Sequence, residues 1–416
     1  MIFPPILLFS TYLNLSGYKA ESAGVTSAWS ALYMLLASRR KQQFTNKFGV
    51  RGVVRGATLA LCAANTPFGA DGALGGDVYA IVTGDYLYIC SFRSVKIPSE
   101  ACWPTQAEWK SLNDSVLGQL IANTPVAAVC YPGHQYSAGQ CATIDALWTN
   151  TTFQQNQPLG YSYPLSVPCP PVVVSDGEVP GNCSFGNAPA YTVNATTIEH
   201  VTKGIAFAKK HNIRLVKRNT GHDALGRSTG YGSLQIWIRY LRTGITFHEK
   251  FTASPSLWNG SAFTIGGGYV WNDVYPHATS RGLVVVGGGT PTVGCIGGWM
   301  QGGGHSPATR DFGLGADQVL QAQIVLANGS LVTVGPLQHP DLFFAIRGGG
   351  PGTYGVVVST TVKAWPTTNV VVQTLAFAPL TAGFVPHFME ALTDLYAAYP
   401  ALSDGGWWVV LDFVIL

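Results

Sequence analysis

Residues 190–218, "AYTVNATTIEHVTKGIAFAKKHNIRLVKR", run straight into "NTGHDALGRSTG" (219–230), and the reading of this stretch decides the fold. "AYTV" reads as a short strand. Thr196 and Glu199 have the spacing of a capping box, and the helix they open would bury Ile198, Val201, Ile205 and Ala208. "IRLVKR" (213–218) is a second strand, so a strand–helix–strand unit delivers the chain into the glycine loop. After the loop "SLQIWIRYL" alternates Leu234, Ile236, Ile238 and Tyr240 with other residues, which predicts a third strand. Further on, "VLQAQIVLANGSLVTV" is a hairpin turning at Asn328-Gly329, and "YGVVVSTTVKAW" is another strand. The sum is an α+β domain from about 186 to 366.

On either side the pattern is weaker. Residues 1–100 carry little readable periodicity, although "MIFPPILLFSTYL" has the apolar middle of a secretory signal without a basic start. From residue 101, Leu112, Val116, Leu117 and Leu120 recur at helical spacing. Residues 151–190, rich in Pro, Gly and Ser, read as a linker. The final "GGWWVVLDFVIL" stops inside a strand-like run, which predicts that the chain is a fragment. Organisation is therefore expected as an N-terminal region (1–100), a disulfide-stapled segment (101–185), the α+β domain (186–366) and the start of a further domain (367–416).

Composition narrows the class. Only 11 % of residues are charged, against roughly 25 % in ordinary soluble domains, while Gly numbers 49 and aromatics 12 %. A net charge of +3 with dispersed Lys and Arg gives no nucleic-acid footprint, and Arg39-Arg40-Lys41 reads as a solvated patch. No apolar run has the length of a membrane-spanning helix. Asn-x-Ser/Thr sequons occur at Asn14, Asn113, Asn150, Asn182, Asn194, Asn259 and Asn328; roughly two or three would arise by chance. Among eight cysteines, Cys130 with Cys141 and Cys169 with Cys183 each enclose a short Pro/Gly-rich loop, as disulfide staples do. These features point to a secreted glycoprotein.

Three chemistries compete for the loops. Gly226-Arg-Ser228-Thr-Gly230 satisfies the G-x-S-x-G pattern of hydrolases, but a nucleophile elbow needs a following helix and a strand follows here. Gly350-Pro-Gly352-Thr-Tyr-Gly355 satisfies G-x-G-x-x-G, yet it too opens a strand rather than the helix that a nicotinamide site requires. His222, Asp223, His305 and Asp311 have no recognised metal-ligand spacing, so no metal is expected. What remains is the set of glycine clusters at 221–230, 266–268, 287–289, 294–304 and 348–355, each beside a strand. Loops able to present successive backbone N–H groups suit a dinucleotide-sized polyanion in a site of non-Rossmann type.

"KRNTGHDALGRSTG", "GGGTPTVGCIGGWMQGGGHSPATRDFGLGADQVL" (287–320) and "DLFFAIRGGGPGTYGVVVSTTVKAWP" (341–366), with "ACWPTQAEW" upstream, resemble the FAD-linked oxidases related to berberine bridge enzyme. These form part of the vanillyl-alcohol-oxidase and p-cresol-methylhydroxylase (PCMH) superfamily. The resemblance covers about residues 100–370. It implies a PCMH-type FAD-binding domain of two α/β subdomains, followed by an incomplete substrate domain with an antiparallel sheet. By the same resemblance His222 would bond the 8α-methyl of the flavin. Gly221 and Gly226 would let the backbone approach the diphosphate, with Thr220, Arg227 and Ser228 as donors and Asn219 and Asp223 beside them. Thr290, Pro291, Thr292, Val293, Gly294, Gly297 and Gly298 would contact the cofactor from the second motif. Gly302, Gly303, Gly304 and His305 continue that contact, and Gly355, Val356 and Val357 close it from the third.

Many relatives carry a second tether, a cysteine before "PTVG"; Thr290 stands there, and Cys295 lies too far along to replace it, so one covalent link is expected. Val293 falls where a small side chain admits oxygen in relatives, and Trp299 where they often have His or Tyr. The resemblance implies oxidation of a sugar, alcohol or secondary metabolite by hydride transfer to FAD, with O₂ as acceptor and H₂O₂ as product, and no stable protein partner. Relatives take their catalytic base from a later part of the chain; neither Tyr396 nor Asp412 is marked as one. A catalytically inactive relative and, remotely, a serine hydrolase using Ser228 are the alternatives.

Overall fold

The computed structural model describes Pro98 and residues 102–133, 136–162, 167–252, 258–370 and 385–407, within a compact unit that runs from Ser94 to Leu416. The N-terminal signal-like stretch, the basic run, Asn14 and Asp412 lie outside the described residues, as does nearly all of the final strand-like run.

Helix α1 (Gln106–Ser115) starts at a capping box between Thr105 and Glu108. It buries Trp109 and Leu112 and ends before Leu117, which takes φ +55° and is 79 % exposed. The helical spacing read through Leu117 and Leu120 therefore breaks: Leu120 belongs to strand β1 (Leu120–Ala122). Helices α2 (Ala138–Leu147) and α3 (Thr151–Gln155) follow, capped by Ser137 and Asn150. Around them the disulfides Cys130–Cys141 and Cys169–Cys183 form as their spacing suggests, and with Ala128, Tyr131 and Val172 they make a small separate core.

Strand β2 (Tyr191–Asn194), helix α4 (Ile198–His211) and strand β3 (Leu215–Arg218) are the unit read from the sequence. The helix cap is one residue later than expected. Thr197 accepts from the His200 amide, while Thr196 faces the His200 ring and Glu199 pairs with Lys203 at 3.7 Å. Both neighbouring threonines carry a hydroxyl able to cap; the one that does, Thr197, has extended backbone at φ −134°, ψ 160°. Asn212, at φ +52°, ends the helix in the left-handed region. Strand β4 (Leu234–Trp237) lies between β2 and β3 and parallel to both. All four of its residues are buried, so alternation was the wrong signature for a central parallel strand. The sheet order is β1-β2-β4-β3.

A second, antiparallel sheet has the order β5-β6-β10-β8-β9. It is built from β5 (Ile245–Thr252) and β6 (Asn259–Gly266), then, after helix α5 (Trp271–Thr279) and the short β7 (Leu283–Val284), from β8 (Val319–Val325) and β9 (Leu331–Val334). Strand β10 (Val356–Lys363) completes it between β6 and β8, and β11 (Trp365–Pro366) pairs with β7. The β8–β9 turn falls at Asn328-Gly329 as read, with Gly329 at φ +85°. Short helices Thr309–Phe312 and Pro340–Ala345 connect these strands, and a long helix, Val385–Asp404, comes last.

The two sheets share packing. Val325, Val356 and Val358 from β8 and β10 join the core made by α1, α4 and the first sheet. The start of β10 is thereby fixed against the first sheet. Gly355 sits at that junction with φ +144°, and a Cβ there would lie 2.5 Å from Ile324 Cγ2 and 2.8 Å from the Val325 carbonyl oxygen. Both conformation and space forbid a side chain. Gly355→Ala is expected to destabilise the fold by about 2–3 kcal/mol, read as a lowered urea midpoint.

The stretch expected to be a linker is instead bound into the structure. Arg218, only 1 % exposed, donates to the carbonyl oxygens of Pro158 at 2.7 Å, Gln154 at 3.2 Å and Thr220 at 3.4 Å, and to those of Gln157 and Gly160. It also stacks within 5.6 Å of the Tyr161 and 5.5 Å of the Trp237 rings. Pro/Gly/Ser richness gave turns that aim carbonyls inward, which composition alone does not reveal.

Candidate functional site

The loop after β3 leaves from the C-terminal end of a parallel strand, the usual place for ligand sites in sheets of this kind. It faces a turn of π-helix, Cys295–Trp299, and the start of β10. Between them lies a cavity of about 370 Å³. From the first motif Asn219, Thr220, Gly221, His222, Asp223, Arg227 and Ser228 line it. Val293, Gly294, Gly297, Gly298, Gly302, Gly304 and His305 supply the opposite wall, and Val356 and Val357 supply the far end. Residues more than a hundred positions apart thus meet in one cleft.

Six expected contacts do not reach the wall. Gly226 and Gly303 turn the chain beside it, at φ +72° and +106°. Thr290 and Pro291 stay outside, with the Pro291 carbonyl accepting from the Asn272 amide. Thr292 instead touches His222: its hydroxyl lies 2.8 Å from Nε2. Gly355 accepts from Lys217 Nζ. Trp299, at the position where relatives often have His or Tyr, lines the wall too, and so do residues outside the expected set, chiefly Lys217, Arg218, Ile238, Gln301 and Pro351. Lys217 and Arg218 stood in the quoted motif; only the strand's pairing could show which way each points.

The glycine clusters divide by role. Those at 266–268 and 287–288 pack against protein, while Gly289 faces open space: a Cβ on Gly268 would meet the Arg239 carbonyl at 2.5 Å, and on Gly287 the Trp271 indole at 2.5 Å. Gly304 and Gly315 make room for Trp299 in the same way, at 2.7 and 2.2 Å. Gly287, Gly288, Gly304 and Gly315 thus make room for two indoles that meet edge to face at 5.1 Å, a purpose invisible in a glycine count. By contrast a Cβ on Gly298 would meet nothing within 4 Å and one on Gly302 only Pro351, at 3.8 Å. There the wall is bare main chain, and side chains would project into the cavity.

Charge in the cleft is unbalanced toward the positive. Arg227 pairs with Asp223 at 2.7 Å, which leaves Lys217 and Arg218 uncompensated along the wall. Burial first, then the Arg218 charge, pushes the His222 pKa down to about 4. His222 is therefore a neutral imidazole at physiological pH. Because the unfolded chain binds that proton near pH 6.5 and the fold does not, stability is full above that value and falls as pH drops toward 4. A loss on the order of 2 kcal/mol is expected across this window. Thermal denaturation of His222→Ala should lack that part of the acid sensitivity.

Ser228 lines the cleft, but the strand β4 follows its loop and the His222 Nε2 atom is engaged by Thr292, so no nucleophile elbow is built. Among the described residues no three His, Cys, Asp or Glu side chains cluster as a metal site. Cys295 is fully buried in the core, where burial raises its thiol pKa.

A family model described as an FAD binding domain matches residues 189–335, the span that holds the βαβ unit and two of the three cavity walls. The FAD-linked oxidoreductase apf9 of Gibberella fujikuroi is 47 % identical over 322 residues, 75 % of this chain and 54 % of that protein. The chain shares its FAD-binding domain with the VAO-type FAD-linked oxidoreductases. A second FAD-linked oxidoreductase, hmp9 of Hypomyces subiculosus, is 44 % identical over 75 % of this chain and 50 % of its own length. The crystal structure of the VAO-type flavoprotein MtVAO713 from Myceliophthora thermophila C1 superposes with TM-score 0.63 at 48 % identity, covering 65 % of this chain and 48 % of that one. The chain thus spans about half the length of the relatives it matches. An α+β fold of the FAD-binding type is what these likenesses share.

The residues present fit FAD. A bare main-chain wall at Gly298 and Gly302 admits a flat or extended group, and the uncompensated cations match a diphosphate.

Proposed function

We propose that the cavity holds FAD through a single covalent link to His222, and that the protein oxidises a small organic molecule such as a sugar, an alcohol or a secondary metabolite. The observation that carries this reading is the convergence of His222, the Gly298–Gly302 wall and the start of β10 on one cationic cleft. Bound FAD would supply the chemistry of a two-electron oxidation, in which the substrate gives up one hydride and one proton and O₂ receives the equivalent of both as H₂O₂. His222, neutral and held by Thr292, is in the protonation state a nucleophile needs. Thr220, Arg227 and Ser228 offer donors to the diphosphate, and Thr220 also accepts from the Gly294 amide, tying the two walls together. Val293, on the wall, supplies the small side chain that suits access by oxygen.

Secretion is part of the proposal. Two disulfides suit an oxidising compartment, and among the described residues no helix is long and apolar enough to cross a membrane. Exposed Asn150, Asn182, Asn259 and Asn328 are the glycan acceptors. Asn194 is not one, because its Nδ2 donates to Gln119 at 2.8 Å inside the sheet.

Purified protein is expected to show a flavin absorption spectrum. A panel of sugars and phenolic alcohols should bleach it without air, and oxygen should restore it with release of peroxide. A colourless protein would refute the FAD reading. A yellow one reduced by substrate but not reoxidised in air would refute oxygen as acceptor.

A further inference from the structure

We propose that Lys217 is a phosphate-binding residue of the cavity, an inference that rests on the FAD reading. Alternation along β3 sends Arg218 to its cage of carbonyls and Lys217 to the other face, toward β10. There Lys217 lines the cavity, and its Nζ donates to the Gly355 carbonyl. Its Cε and Nζ lie 3.6 and 3.9 Å from where a Gly352 Cβ would stand, so the absence of a side chain at 352 leaves the ammonium open toward the cavity. An ammonium carries three donors, and one carbonyl uses one of them.

No carboxylate balances this charge. Around the cavity the titratable and charged groups are Arg218 on β3, His222, Asp223 and Arg227 on the following loop, and His305 on the opposite turn; β10 contributes only Val356 and Val357. Asp223 is held by Arg227 at 2.7 Å. Among the described residues Lys217 forms no ion pair. Burial alone pushes its pKa down to about 7. A phosphate oxygen at this place satisfies the remaining donors and restores the charge.

Restoring the charge has a measurable consequence. Binding takes up a proton wherever free Lys217 is neutral and bound Lys217 is cationic. Affinity should then fall about tenfold per pH unit above 7, until the pKa of the complex is reached. His222→Ala makes FAD exchangeable, so the test is calorimetric titration of that variant with FAD from pH 7 to 9, in two buffers of different ionisation enthalpy. Uptake of about one proton at pH 8.5 is expected, with a falling affinity. The double variant His222→Ala/Lys217→Met should bind more weakly at pH 7, with neither uptake nor slope. FAD binding by His222→Ala with no proton uptake would overturn the lysine assignment alone, whether or not the double variant folds. Parallel slopes in the two variants would do the same. No FAD binding by His222→Ala at any pH, from a folded protein that is also colourless before mutation, would take down the FAD reading with it.

Discussion

Replacing His222 by alanine is expected to move flavin from the acid-precipitated protein pellet into the supernatant. His222 is the imidazole on the cavity wall whose position is fixed, by the Thr292 hydroxyl at 2.8 Å, and whose neutral form is favoured by burial and by Arg218. His305 lines the same cavity but belongs to the opposite turn. Cys295, the cysteine nearest in sequence, is buried in the core with a raised pKa and does not line the cavity. Among the described residues that line the cavity there is no cysteine to serve as a second tether. The folded variant should still take up FAD reversibly, since the glycine wall and the cations are untouched, and its spectrum should vanish on dialysis or denaturation. Flavin remaining in the pellet would show that a different side chain holds it. The Thr292→Val variant provides a milder version: the imidazole stays but loses its orienting contact, and a partial flavin load is expected.

The second large effect concerns stability. Arg218→Met is expected to lower the unfolding free energy on the order of 4 kcal/mol, measured by urea denaturation. Methionine fills much of the volume, so packing loss is small. What it cannot do is donate: the carbonyls of Gln154, Gln157 and Pro158 keep the Gln157 amide, the Gly160 amide and Gln235 Nε2, but those of Gly160 and Thr220 are left without the donor that Arg218 supplies in a buried place. Each orphaned group costs about 1–3 kcal/mol where water does not enter. Against this stands the cost of burying the guanidinium, visible in a pKa pushed down to about 10. Buried ion pairs can often be replaced by apolar residues at no loss because both partners are removed. Here the partners are backbone and remain, so the balance falls the other way. Arg218→Lys should rescue little, since an ammonium cannot span five diverging acceptors. An unchanged midpoint in the methionine variant would mean that the 154–160 segment is held by something else.

Much of this architecture was legible in the residues. The βαβ unit, the hairpin at Asn328-Gly329, the β10 strand and both short-range disulfides follow from local rules whose physics is local: side-chain period, turn geometry and loop closure. The three glycine-rich motifs that meet at the cavity were legible as well, although their meeting is a property of the two joined sheets. What escaped detection was non-local. Burial on both faces hid the nature of β4 behind apparent alternation. The carbonyl cage around Arg218 needs a tertiary arrangement of Pro- and Gly-rich turns. Glycines that seat Trp271 and Trp299 look in sequence like glycines that cradle a phosphate. Thr196 and Thr197 are the same residue type side by side, so residue identity does not tell which one caps the helix. Lys217 stands inside the quoted motif, but only the pairing of β3 with β4 shows that it turns into the cleft.

Peptide mapping of the purified, unmutated protein tests the central claim most directly. Trypsin should release Asn219–Arg227, "NTGHDALGR", from between Arg218 and the next basic residue. If the loop after β3 fastens the cofactor, this peptide carries the added mass of a flavin nucleotide and fluoresces as flavin, with fragmentation placing the addition on His222. An unmodified Asn219–Arg227 peptide from yellow protein, with flavin free in solution or attached to some other peptide, would contradict it.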